Sequence, residues 1–381
     1  MRPKPPPAPI SRRDVALMAS IVVTDLGCAQ RSGAPQASVA GGSVREEPPL
    51  RAGKTAQTLR ELLAENRKLD PEYGSGLSNH RSMALSALSW LGADDARLRA
   101  FAAARVGRYR PLRAAAPLPS ADFRSGLGVP SSLVGLIDYF EDALAVEGRD
   151  AVLRRVLPEL MPGLSGAAFH GLIRTAYALD AVDAAELAHA LAYFASVAEP
   201  LRPLPEPSAG ETHSVEVLLR RVEADPRFRA PRRFVLVTPA LRAAAELPGF
   251  DDSVAALKLH QQTLDDIARG ALEVYLGTRD FIALHGLTAT HALHKLLPYL
   301  SEPQLALRFH FQALLAAFIS VPERQLRAPT RAHPPEWAPL VARALSSDDE
   351  HDIKLVYSCY DEGSVRDPLG YREAAALRLG L

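Results

Sequence analysis

Cysteine is almost missing: the 381 residues hold two, Cys28 and Cys359. So distant a pair builds neither a disulfide framework nor a CxxC metal site. An excess of charge is missing too, because 44 Lys+Arg stand against 44 Asp+Glu for a formal net charge of zero. With no basic stripe interleaved with aromatics, no nucleic-acid partner is expected. Lysine is scarce, with six at positions 4, 54, 68, 258, 295 and 354, and arginine serves nearly everywhere else. β-Branched residues are sparse beside alanine, leucine and arginine, so the chain reads as all-α. No GxGxxG follows a strand and no βαβ alternation is visible, which argues against a Rossmann-bound flavin or nicotinamide. No GxSxG elbow supports serine hydrolysis. What remains is a helical body large enough to bury a substantial core.

The chain divides into an arm over 1–52 and a single multi-helical domain over 53–381. In the arm, Arg12-Arg13 precedes the apolar run Val15 to Val23, and Leu26-Gly27-Cys28 follows. That order matches a twin-arginine export signal with a lipoprotein-type cysteine, although Asp25 stands where an aliphatic residue belongs. The alternative is a disordered arm on a cytoplasmic protein. The apolar run is too short to span a bilayer, and no integral membrane domain is expected.

Beyond the arm the helical period persists. Leu59, Leu62 and Leu63 stripe a helix that ends before Pro71. A second runs through Met83, Leu85, Leu88 and Trp90 to Gly92 as C-cap, and Asp94 starts a third. Further helices are expected over Ser131–Val146, Ala151–Leu160, Ala167–Ala181, Ala184–Ala198, Ser214–Ala224, Ser253–Leu276, Arg279–Leu300, Gln304–Ile319, Glu350–Tyr360 and Tyr371–Leu379. Phe234-Val235-Leu236-Val237 alone has strand-like composition. The triplet His-Gly-Leu occurs twice, at His170 and at His285, as the mark of a duplicated half or by chance in an alanine- and leucine-rich chain.

Four histidines, His80, His170, His285 and His351, sit near helix starts or within apolar helical patterns. Such positions are costly for an imidazole unless it is hydrogen-bonded or coordinated. Singly, each reads as a satisfied core histidine. Together, four helices each offering one inward imidazole is how helical proteins assemble a metal site in their core. His351 lies in SSDDEHDIKLVYSCY (346–360), whose serines and acids write a helix N-terminus. Lys354 follows one turn later on the same face. A lysine in an arginine-rich chain points to amine chemistry, since lysine can lose its proton when buried; the plainer reading is a snorkelling side chain. His291, His294 and Lys295 suit a solvated rim, and His189, His213, His260, His310 and His333 suit surface or cap positions. Cys359 reads as a packed thiol. His351-Asp352 also spells the dipeptide of the HD-type phosphohydrolases, a reading that needs Asp361 or Asp367 beside the histidines.

The sequence resembles the questin oxidase-like family. The resemblance is carried by Leu62-Leu63 through Asn66, by Asn79-His80 with Leu85, Leu88 and Leu91-Gly92-Ala93, and by Phe169-His170-Gly171-Leu172-Ile173 with Tyr177-Ala178. It continues in Leu284-His285-Gly286-Leu287-Thr288 with Ala292-Leu293, in Asp349-Glu350-His351-Asp352-Ile353-Lys354-Leu355, and in Pro368 to Ala376. It implies an oxidoreductase that uses dioxygen on a small aromatic, polyketide-like substrate, by ring cleavage or Baeyer–Villiger-type oxygen insertion. It also implies a mononuclear non-heme Fe(2+) held by His80, His170, His285 and His351 with Lys354 as a carboxylated residue, and NADPH as the candidate electron donor. Imidazole and oxygen ligands together suit such an iron. Arg174, where the family commonly has a second histidine, and Tyr177 are the expected catalytic or substrate-contact residues. Because of Arg174, a rival reading is a non-catalytic helical binding protein that keeps the fold.

Overall fold

The computed structural model describes residues 56–104, 106–114, 116–181, 183–229 and 236–381. The expected arm over 1–52, with its export signal and Cys28, lies outside them. Among the described residues there are sixteen α-helices and one antiparallel ribbon, β1 (Glu72–Tyr73) against β2 (Leu77–Ser78). The all-α class is what the helical period predicts.

The helices follow in order: α1 (Ala56–Arg67), α2 (Arg81–Trp90), α3 (Asp95–Ala103), α4 (Leu133–Glu147), α5 (Arg149–Leu160), α6 (His170–Ala181), α7 (Ala184–Val197) and α8 (Val215–Ala224). Then come α9 (Val237–Ala245), α10 (Phe250–Ala255), α11 (Thr263–Thr278), α12 (Phe281–Leu296), α13 (Pro303–Ser320), α14 (Trp337–Ser346), α15 (Glu350–Gly363) and α16 (Pro368–Leu379). Short polar side chains start many of them. Asp94, Asp183, Ser214, Asp280, Asp349 and Asp367 each accept a backbone N–H of the first turn, satisfying donors that a helix leaves open. Gly92 stands at φ 97°, where a residue with a Cβ would be strained, and closes α2. One continuous apolar core runs from Leu59 in α1 to Ala376 in α16. Within it α2, α6, α12 and α15 pack on one another, and these four elements carry the candidate site.

The structure differs from the sequence reading at several places. Phe234 and Val235 lie outside the described residues, whereas Leu236 caps α9 and Val237 opens it, so that part of the strand-like run is helical. Ser253–Leu276 is two helices, because the chain between them pairs with another segment: Lys258 N–H bonds His213 O and Leu257 bridges to His213. Helix α14, for which the sequence reading gives no element, forms with Trp337, Leu340 and Ala344 inward, a stripe of three in ten residues. No described helix is long and apolar enough to cross a membrane.

Candidate metal centre

The four histidines reach one point from four helices. His80 immediately precedes α2, His170 opens α6, His285 stands in the second turn of α12, and His351 lies in the first turn of α15. They are 6%, 5%, 0% and 8% exposed. Ring centroids are 4.6 Å apart for His80–His170 and for His80–His351, 4.9 Å for His170–His285 and 5.6 Å for His285–His351. Ring nitrogens of His80, His170 and His285 lie within 4.8 Å of one another; His351 borders that group. Packing alone does not explain four buried imidazoles side by side, since each desolvated polar ring costs on the order of 1–3 kcal/mol unless bonded.

The outer ring nitrogens of His170, His285 and His351 are tied down. His170 Nδ1–H donates to Ala167 O at 2.5 Å and His285 Nδ1–H to Phe281 O at 2.8 Å. His351 Nδ1 meets Asp349 Oδ1 at 3.2 Å, and His80 Nδ1 lies 3.6 Å from Glu350 Oε1. With Nδ1 protonated, the Nε2 atoms of His170, His285 and His351 keep their lone pairs, and an outer acceptor fixing the tautomer of a ligand histidine is the usual support for a bound metal. The Nε2 atoms of His285 and His351 are buried without a partner. His80 Nε2 and His170 Nε2 approach to 2.6 Å. Because His170 Nδ1 holds that ring's proton, His80 supplies the hydrogen of this bond in the metal-free protein. A cation would take the place of that proton.

Electrostatics act in the same sense. Burial pushes the pKa values of His170 and His285 well below the ordinary histidine value, with the neighbouring histidines and Lys354 adding to it. His351 is lowered too, chiefly by burial. Helix N-termini disfavour imidazolium for the same reason that they favour acids. Neutral imidazole is the ligating form, so this donor set fits a metal ion. Lys354, one turn beyond His351, is 1% exposed, and burial brings its ammonium down to about 8. Its charge bears on His170, His285 and His351.

Arg174 and Tyr177, the expected catalytic residues, are bonded within the protein. Arg174 Nε and Nη2 both donate to Glu186 Oε1 on α7, at 3.0 and 2.8 Å. Tyr177 Oη donates to Lys354 O and meets Ser358 Oγ, each at 3.2 Å, and so joins α6 to α15 behind the lysine. Asp352 bonds Ser347 and Arg378, Asp361 pairs with His291 and Lys295, and Asp367 caps α16. Neither aspartate required by a phosphohydrolase centre belongs to the nitrogen cluster.

Two expectations for the other histidines are overturned. His310 is fully buried, bonded through Nε2 to Thr290 Oγ1 at 2.8 Å, and His291 is buried against Asp361 at 2.9 Å. Polar sequence neighbours suggest a rim for His291, and His310 reads as a surface or cap residue; neighbours from other helices cover both. Sequence reasoning also missed Glu350 and Phe281. Glu350, read as capping charge, turns its buried carboxylate between His80 and Arg108. Phe281 is half-buried and lies over His285 and His351, with centroids 4.5 and 4.9 Å away. Nothing local distinguishes either from an ordinary first-turn residue. Surface cavities of about 700 and 460 Å³ open elsewhere, beside Leu144 and Leu187 and beside Leu218 and Phe228, and none of the four histidines lines them.

Compared with known proteins, residues 77–359 match a family profile described as questin oxidase-like, well over half of the chain. No curated protein matches it.

Proposed function

The chain belongs to the questin oxidase-like family, a family of oxidoreductases by its name, and from that premise we propose that it uses dioxygen at a mononuclear non-heme iron to oxidise, or cleave a ring of, an aromatic polyketide-like substrate. The observation that carries this reading is the convergence of His80, His170 and His285, three ring nitrogens within 4.8 Å in a fully buried setting. A bound iron would supply the redox centre at which dioxygen is activated.

The chain's own residues have separable tasks. His80, His170, His285 and His351 would hold the ion, the last three aimed by acceptors behind them. Lys354, as a neutral amine, can add carbon dioxide and release one proton, giving an anionic oxygen donor that arginine cannot become. Tyr177 holds the Lys354 carbonyl and Arg174 ties α6 to α7, so both position the site from behind. Phe281 screens His285 and His351 from water and offers a planar ring to a planar substrate. NADPH remains the candidate reductant for a monooxygenase reaction. It would act without a Rossmann cleft, as no parallel sheet exists among the described residues.

The test is metal analysis of the purified protein. One iron per chain is expected, lost in His170→Ala and in His285→Ala, together with oxygen uptake on hydroxylated polycyclic aromatics that follows iron content. A protein without iron, whose metal content ignores both substitutions, would sink the proposal.

A further inference from the structure

The two His-Gly-Leu segments solve one problem in different ways. His285 lies in the second turn of α12, so a helical carbonyl, that of Phe281, stands four residues back to receive its Nδ1–H. His170 is the first residue of α6 and has no helical turn behind it. Ala167, Ala168 and Phe169 instead stand in the left-handed region, at φ 46°, 56° and 66°. Three consecutive residues with Cβ atoms rarely adopt that conformation. The bend delivers the Ala167 carbonyl to the His170 imidazole at 2.5 Å.

The bend is held from three directions. Upstream, Gly163 and Gly166 lie against the backbone at the end of α7, where a Cβ would collide with Ala198 and Val197. Downstream, the Phe169 ring is fully buried. From the side, Thr238 in the first turn of α9 accepts the Ala168 N–H on its Oγ1 at 3.0 Å. Strained backbone persists only where its surroundings over-determine it, and it gathers at functional sites.

We propose that the left-handed turn Ala167–Phe169 is a device that fixes the tautomer and aim of His170, and that Thr238, whose hydrogen bond goes to the turn and not to a histidine of the cluster, is a positioning residue for metal binding. The proposal rests on the metal reading above for its consequence and on the turn's own geometry for its cause. Thr238 lies far along the chain, 70 residues from Ala168, and couples α9 to the centre through the bond its Oγ1 accepts from the Ala168 N–H.

The experiment uses the full chain with Thr238→Val, Thr238→Ala and Thr238→Ser. In metal-free protein, ¹⁵N-histidine NMR, assigned by loss of signals in His170→Gln, should report a single Nδ1–H tautomer for His170 in wild type and Thr238→Ser. A tautomer mixture is expected in Thr238→Val and Thr238→Ala. Fe(2+) affinity, measured by chelator competition, should fall about 10–100-fold in Val and Ala and recover in Ser. Alanine leaves room for water on the Ala168 N–H, so it reads out the loss of hold even where valine prevents folding. Unchanged tautomer and affinity in the alanine variant, or lowered thermal stability alone, would overturn the proposal. If wild type binds no iron, the metal reading fails, whereas the NMR still decides the role of the turn.

Discussion

Lys354 is a buried amine with no ion pair among the described residues, in a chain that uses arginine nearly everywhere else for positive charge. Burial lowers its pKa to about 8 from 10.5, so near neutrality a usable fraction is the free base. That is the form that adds carbon dioxide. With ¹³C-bicarbonate, wild type is expected to give a carbamate resonance and Lys354→Arg none, with iron affinity about tenfold weaker in the variant. Equal spectra would leave Lys354 as a buried cation only. At this scale the sequence was informative about residue type and silent about partners. The oddity of the lysine and the siting of four histidines were visible along the chain. That Glu350 turns inward while Asp352 turns to Ser347 and Arg378 was not, because both lie in the same acidic first turn and only the neighbouring helices distinguish them.

Helix α6 depends on how closely α7 can approach. A Cβ on Gly171 would lie 2.7 Å from the Cα of Phe194, a backbone atom that cannot swing aside. Gly171→Ala gains up to about 1 kcal/mol of helix propensity and loses about 1–3 kcal/mol to overpacking. The clash wins, and a lower urea midpoint is expected, with weaker metal binding because His170 is the adjacent residue; a midpoint equal to or above wild type would refute this. Elements marked by local chemistry were legible: Asp94 and Ser214 cap the helices they precede, and Gly92 ends α2. Elements whose form depends on distant contacts were not. The helical pattern was extended back to Ala167, yet the three residues before His170 wind the opposite way, held by Thr238 and by the close approach to α7. The strain of about 1–2 kcal/mol per left-handed residue cannot be read from Ala-Ala-Phe, for which an ordinary helix is the cheaper local choice.

For the molecule as a whole, buried neutral histidines make stability depend on pH. His310, outside the metal centre, is the cleanest case, its pKa lowered from 6.5 to about 4 by burial alone. Between those values the unfolded chain binds the proton and the folded one does not. The His310 contribution is therefore fully present above about pH 6.5 and is lost as pH falls toward 4, at about 1.4 kcal/mol per pH unit. Urea unfolding across that range should show a flatter slope for His310→Gln than for wild type, and identical slopes would contradict the assignment. By itself the sequence determined the all-α class, because the apolar period and the capping residues act over a single turn. It also determined the family and the candidate ligands, because the motif order is a property of the chain. Only the tertiary structure decided that His80 and His170, 90 residues apart, bring their Nε2 atoms to 2.6 Å. It alone decided which acceptors hold the Nδ1 atoms of His170, His285 and His351 and that His310 is core rather than surface. Burial and hydrogen-bond partnership belong to the space between helices, and residues from several distant segments must meet before that space exists.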